Sequence, residues 1–159
     1  MRISAIRVGH VRVDGRDSNC RLRSVLRSLQ FDVIFISGLS LAGFNLVDIA
    51  KLARDTHRPV VAVTGDKPNN KAVKTALHHF ADWRIRLKIV LNAGRLYSCK
   101  PLKNEPKLYF EVRGGSPHYA RGIIEATSMI SRLPEPIRIA RIIARGLSRN
   151  VDTKSPKSP

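Results

Sequence analysis

Four arginines near the C-terminal end, Arg138, Arg141, Arg145 and Arg149, stand three, four and four residues apart. That spacing puts them on one face of a helix, with Ile139, Ala140, Ile143, Ala144 and Leu147 on the other side. The chemistry open to such a face is recognition of phosphate, because a guanidinium carries a permanent charge and a planar fork of N–H donors. A solvated helix would normally interleave glutamates at i,i+4; here Glu135 stands at the start and none follows within the helix. Arg21, Arg23 and Arg27 similarly lie off an apolar stripe formed by Leu22, Val25, Leu26 and Leu29, and Lys154 and Lys157 carry positive charge into the last residues.

The whole chain shares this imbalance. Its 159 residues hold 29 Lys and Arg against 12 Asp and Glu, a formal net charge of +17 and a sequence pI near 11.1. Such a balance speaks of partners rather than fold, and nucleic acid is the obvious polyanion. No apolar run approaches the roughly 20 residues of a membrane-spanning helix, and the opening residues alternate like a strand rather than a secretory signal. The expected location is the cytoplasm, with Cys20 and Cys99 as free thiols. His78 and His79 are neighbours in a helical segment, so they do not face each other across a metal. Aromatic residues make up 6% of the chain; Tyr97, Tyr109 and Phe110 could offer a stacking surface but read better as strand core, which favours backbone and shape recognition of a structured nucleic acid.

The elements that must carry these charges follow from periodicity. Ile3 to Val13 predicts one or two half-buried strands, ended by the turn Asp14-Gly15. Ser18 is placed to cap a helix reaching Gln30. Phe31 to Ile36 reads as a central strand covered on both faces, and Pro59 to Thr64 as a second buried strand. Between them, a loop from Gly38 to Phe44 leads to Asn45, a cap for a helix over Leu46–Arg54. Helices are expected over 71–80 and 82–92, stopped by Gly94; strands over 95–98 and 107–112, as an edge hairpin; and helices over 117–130 and 134–149. The pattern is that of one α/β domain over residues 1–150, with 151–159 as a disordered basic tail.

Four segments read together, VDGRDSN (Val13–Asn19), GLSLAGFNLVDI (Gly38–Ile49), PVVAVTGDKPN (Pro59–Asn69) and LPEPIRIARIIARGL (Leu133–Leu147), resemble the archaeal endonuclease dU family. Asp82-Trp83 and Arg86 also match that family's pattern, and the resemblance covers about residues 8 to 148. It implies a ribonuclease H-like α/β fold, related to endonuclease V, with a mixed sheet and flanking helices. It also implies a metal-dependent nuclease cutting DNA near deoxyuridine, whose carboxylates at strand ends hold one or two Mg²⁺ ions. Two departures stand out. The family's N-terminal strand, with its acidic pair, has no counterpart before Met1, so an N-terminally shortened member is expected. Ser37 stands where the family carries a metal-binding Asp, and a hydroxyl is a poor ligand for a hard dication.

Asp14 and Asp17 remain as metal ligands for an alternative catalytic set completed by Asp66, while Asp48 reads as a helix cap or packing residue. Arg141 and Arg84 stand where the family has His and an acid, respectively. The expectation is therefore a non-catalytic, cofactor-free nucleic-acid-binding protein. RNA is favoured over DNA as its partner, with ribosomal RNA and ribosomal proteins as the candidate setting. A Mg²⁺-dependent endonuclease acting on deoxyuridine-containing DNA is the alternative.

Overall fold

The computed structural model describes residues 2–152, with side chains to residue 148. Lys154, Lys157 and the side chain of Arg149 lie outside the described residues, as do residues 153–159. The strand that organises the sheet is β4 (Val60–Thr64), whose Val60 and Ala62 look to one face and Val61 and Val63 to the other. A strand covered on both sides reads as this kind of unbroken apolar run. It pairs in parallel with β1 (Ile34–Ser37), Ile34 opposite Val60 and Ser37 opposite Val63, and antiparallel with β6 (Leu108–Arg113). β5 (Tyr97–Cys99) closes the far side, giving the order β1-β4-β6-β5.

Helices cover both faces of this mixed sheet. α1 (Ser18–Leu26) and α2 (Ile49–Thr56) pack on the face of Ile34, Ile36, Val60 and Ala62, joined by Ala93 at the end of α4 (Trp83–Asn92). α5 (Pro117–Thr127) and Ile137, in the first turn of α6 (Glu135–Asp152), close the opposite face over Val61, Phe110 and Val112. α3 (Asn70–Leu77) leads into α4 across a short turn and buries Leu77 completely.

Several expectations are corrected by tertiary context. Residues 2–12 form no strand, and Ile3, Ile6 and Val8 are each more than half exposed; alternation alone does not make a strand where no partner offers a ladder. β1 is an edge strand of the described sheet rather than a central one. The loop over 38–44 contains β2 (Ser40–Ala42), which forms a hairpin with β3 (Asn45–Leu46), so the helix expected from Leu46 begins only at Ile49. α1 ends at Leu26 because Arg27 turns extended and Ser28 takes a left-handed φ of 64°. Ser18 is not the cap of α1 but its first residue, buried, with Asp17 in the capping position. Asn45 does not cap α2; Asp48 does, accepting from the Lys51 amide at 2.8 Å. α3 stops three residues short of Phe80 and α5 at Thr127, where Ser128 leaves helical geometry. Both cysteines are free, and burial pushes the Cys99 thiol up to about 11.

Glu111 lies on β6 beside Ala62, 7% exposed, with one carboxylate oxygen lacking any hydrogen-bond partner. Burial pushes its carboxyl from an ordinary 4.5 up to about 7. The folded chain therefore holds this proton more tightly than the unfolded chain does. The group's stabilising contribution is complete below about 4.5 and is lost as pH rises through about 7. Glu111→Gln is expected to be the more stable form at about pH 8, by about 2 kcal/mol, with the gap closing by about pH 5. Urea midpoints of the two proteins at both pH values check this.

Candidate nucleic-acid interface

The segment Asp14–Asn19 is held by hydrogen bonds that begin at Asn45, a fully buried residue. Its Nδ2 donates to the Asp17 carboxylate at 2.6 Å and to the Arg12 carbonyl at 2.8 Å. Its Oδ1 accepts from the Ser18 hydroxyl at 2.6 Å and the Ser18 amide at 3.2 Å. Asn19 extends the connection to α2, its amide donating to the Asp48 carbonyl at 2.9 Å and its oxygen accepting from the Asp48 amide at 2.8 Å. The hairpin turn fits because Gly43 adopts φ 56° and because any Cβ there would run into the Asp14 carboxylate.

Arg86, on α4 and 5% exposed, clamps the same region from the other side. Its Nε donates to Asp82 at 2.7 Å, Nη1 to the carbonyls of Phe44 (2.6 Å) and Gly15 (3.2 Å), and Nη2 to that of Asp14 (2.8 Å). The guanidinium also lies 4.4 Å from the centre of the Phe80 ring, which packs against Phe44. Arg86 holds the Asp82 carboxyl below its usual range, as Asn45 does for Asp17.

The acids expected to hold a metal are engaged elsewhere. Asp14 Oδ1 accepts from the Phe44 amide at 2.6 Å, and Asp17 Oδ2 lies 3.5 Å from Arg21 without a hydrogen bond. Asp66 is 97% exposed on the loop after β4, 3.6 Å from Arg132, whose guanidinium also donates to the carbonyls of Gly65 and Lys107. Ser37 ends β1 as an exposed hydroxyl. Among the described residues, no three His, Cys, Asp or Glu side chains group as a metal site would require. Asp14 and Asp17 sit by the hairpin and Asp66 by Arg132, so the set Asp14, Asp17 and Asp66 does not offer the converging carboxylates that Mg²⁺ needs.

The basic residues divide into bound and free. Arg21 and Arg23 pair with Asp17 and Asp55 at 3.5 and 3.3 Å. Arg138 is not the unpartnered cation expected from the stripe: it grips buried Glu135 at 2.7 to 2.9 Å, and Glu135 is held below its usual range in return. Spacing had placed this acid at the helix start without showing that it folds back one turn. Arg27, Arg141 and Arg145 are exposed and, among the described residues, form no ion pair. On the apolar side of α6, Leu147 is 43% exposed, and a groove of about 540 Å³ lies between Ile139 and Ile143 and residues 2–9, while Ile142, 57% exposed, stands among the arginines.

Sequence reasoning missed the roles of Asn45 and Arg132, and it missed a surface stack at the α3–α4 corner. There His78 lies 4.3 Å from Trp83, ring to ring, and Arg84 lies 4.7 Å over the same indole. The i,i+4 pair Asp82–Arg86 was visible as a spacing, but its long-range carbonyl partners were not. Beside α4 a second groove, of about 400 Å³, is lined by Arg16, Phe44, Lys51, Lys88 and Ile89 among others.

The sequence profile described as endonuclease dU matches residues 1–148. The UPF0215 protein of Methanopyrus kandleri is 37% identical over 151 residues, covering 92% of this chain and 77% of its own length. That of Methanothermobacter thermautotrophicus is 37% identical over 143 residues, covering 87% and 69%. Among solved structures, a protein of unknown function from Archaeoglobus fulgidus superposes with a TM-score of 0.78 at 31% identity, covering 86% of this chain and 78% of that one. Human endonuclease V superposes at 0.53 and 18% identity, covering 86% and 61%, a likeness of fold alone that is ribonuclease H-like.

Removing the guanidinium at position 86 would leave the carbonyls of Asp14, Gly15 and Phe44 and the Asp82 carboxylate without their donor. Arg86→Met is expected to destabilise the chain by about 3–5 kcal/mol. Arg86→Lys should recover little, since an ammonium cannot reproduce the planar fork. Chemical unfolding measures the loss, and amide exchange should localise the early opening to residues 12–19 and 43–46.

Proposed function

The chain belongs to the endonuclease dU family, and on that premise we propose that it binds nucleic acid without cutting it, with RNA the favoured ligand. The observation that carries the reading is the engagement of its acids. Asp14 and Asp17 tie the loop before α1 to the hairpin, Asp66 meets Arg132, and Ser37 offers no charge. A two-metal mechanism needs carboxylate oxygens free to converge on the ions. What the scaffold offers instead is cationic surface, in a chain of net charge +17. Phosphates bound there would displace condensed counter-ions, so affinity should depend steeply on salt. High charge in so small a chain makes structured RNA, including that of the ribosome, the first class of ligand to test.

Incubated with uracil-containing DNA and Mg²⁺, the purified chain is expected to leave the strand intact. Cleavage that disappears in Asp17→Asn would overturn the non-catalytic reading in favour of the deoxyuridine endonuclease. Binding to labelled RNA, followed by anisotropy from about 50 to about 200 mM salt, should weaken by about tenfold or more if three or more phosphates are contacted. A flat salt dependence would remove the electrostatic basis of the proposal.

A further inference from the structure

Two cation–aromatic stacks meet at the α3–α4 corner, and they differ in what the cation has left to give. In the inner stack, Arg86 lies on Phe80 with its donors committed to Asp82 and three carbonyls. In the outer stack, Arg84 is exposed and lies over the Trp83 indole, yet among the described residues it makes neither an ion pair nor a hydrogen bond. Its guanidinium is thus oriented by the ring while its N–H fork stays unused. His78 is oriented as well: Nδ1 donates to the Lys74 carbonyl at 2.7 Å, which leaves Nε2 and the ring edge directed elsewhere.

The surroundings are cationic. From Asn70 to Asn92 the sequence contains one acid, Asp82, against Lys71, Lys74, Arg84, Arg86 and Lys88. That acid is already bound by Arg86 and by Arg16 at 3.5 Å. Lys88, one helical turn after Arg84, is exposed and borders the groove that also contains Lys51 and Phe44.

We propose that the His78–Trp83–Arg84 stack, continued by Lys88 along α4, is a binding site for unpaired nucleobases and their phosphates. It rests on the nucleic-acid reading and sharpens it: the ligand is a single-stranded segment or loop, because only an unstacked base can join the rings. A base adds to the stack through its π-face, while the Arg84 fork takes the adjacent phosphate in a bidentate contact. Lys88 and Lys51 follow the backbone into the groove. The stripe on α6, one of whose cations is tied to Glu135, is a secondary contact at most.

Trp83 is the only tryptophan of the chain, so its emission reports on this site directly. Titration with oligonucleotides of about twelve nucleotides, one of uridine and one of thymidine, should quench that emission with the same midpoint as anisotropy. A fully paired duplex should quench little. The double variant Arg84→Glu/Lys88→Glu, exposed at both positions, should lose about tenfold or more in affinity, and His78→Ala should lose part of the quenching. Arg141→Glu/Arg145→Glu should leave the quenching intact, and cooperative unfolding verifies that each variant is folded. Binding by anisotropy with unchanged Trp83 emission, or with unchanged affinity in Arg84→Glu/Lys88→Glu, would overturn this site but leave the nucleic-acid reading standing. No binding to either strand or to duplex at low salt would overturn both.

Discussion

A guanidinium buried at 5% exposure is tolerable only if nearly every donor finds an acceptor, and the region around Arg86 is arranged to supply them. Three of its acceptors are backbone carbonyls of two loops distant in sequence, at Asp14, Gly15 and Phe44, and the fourth is Asp82, one turn back on its own helix. The loop before α1 and the hairpin after β1 are thereby fixed to α4. Asn45 and Asn19 complete the fixation from within, so that α1, α2, α4 and the hairpin form one hydrogen-bonded corner. The loop before α1 has little apolar surface of its own to hold it, since Val13 is 74% exposed.

This constraint also determines what the acids can do. Asp17, Asp82 and Glu135 each have a carboxyl held below its usual range by a donor that is part of the architecture. Their stabilising contributions are present at neutral pH and fade as pH falls through those lowered values. A carboxylate that binds a dication must instead keep lone pairs free and tolerate a second negative charge nearby. Around Asp14 and Asn45 the side-chain hydrogen bonds tie the loop before α1 to the hairpin.

Much of the sheet was legible because β4 is an apolar run bounded by turns and β6 is rich in apolar and aromatic residues, and the expected strands over 59–64 and 107–112 match within a residue or two. The strand order was not legible: nothing local to Phe31–Ile36 distinguishes an edge from a centre, since both faces are covered either way. Ile3 to Val13 alternates correctly but lacks a pairing partner, which only tertiary structure reveals. The helices 18–30 and 117–130 were overextended because their apolar spacing continues past residues, Ser28 and Ser128, where the backbone turns away. At the candidate site, charge and spacing found Arg141 and Arg145, and the family resemblance pointed to Arg84. They could not show that Arg138 folds back on Glu135, nor that Trp83 gathers His78 and Arg84, because stacking across a helix junction leaves no periodic signature.

The distribution of charge separates the two arginines of α4 that a sequence treats alike. Arg84 and Arg86 are two residues apart, so they point to different sides of the helix, one outward and one into the corner. Burial forces Arg86 to saturate its donors, and those acceptors were brought together by folding itself. Arg84 bears no such requirement, because water can solvate it; the indole fixes its orientation without consuming its N–H groups. A net charge of +17 repels itself in the compact state, and the six ion pairs of the described residues relieve only part of that repulsion. An anion that engaged Arg84 and its lysine neighbours would supply part of the missing counter-charge, and its binding would then be thermodynamically linked to the stability of the fold.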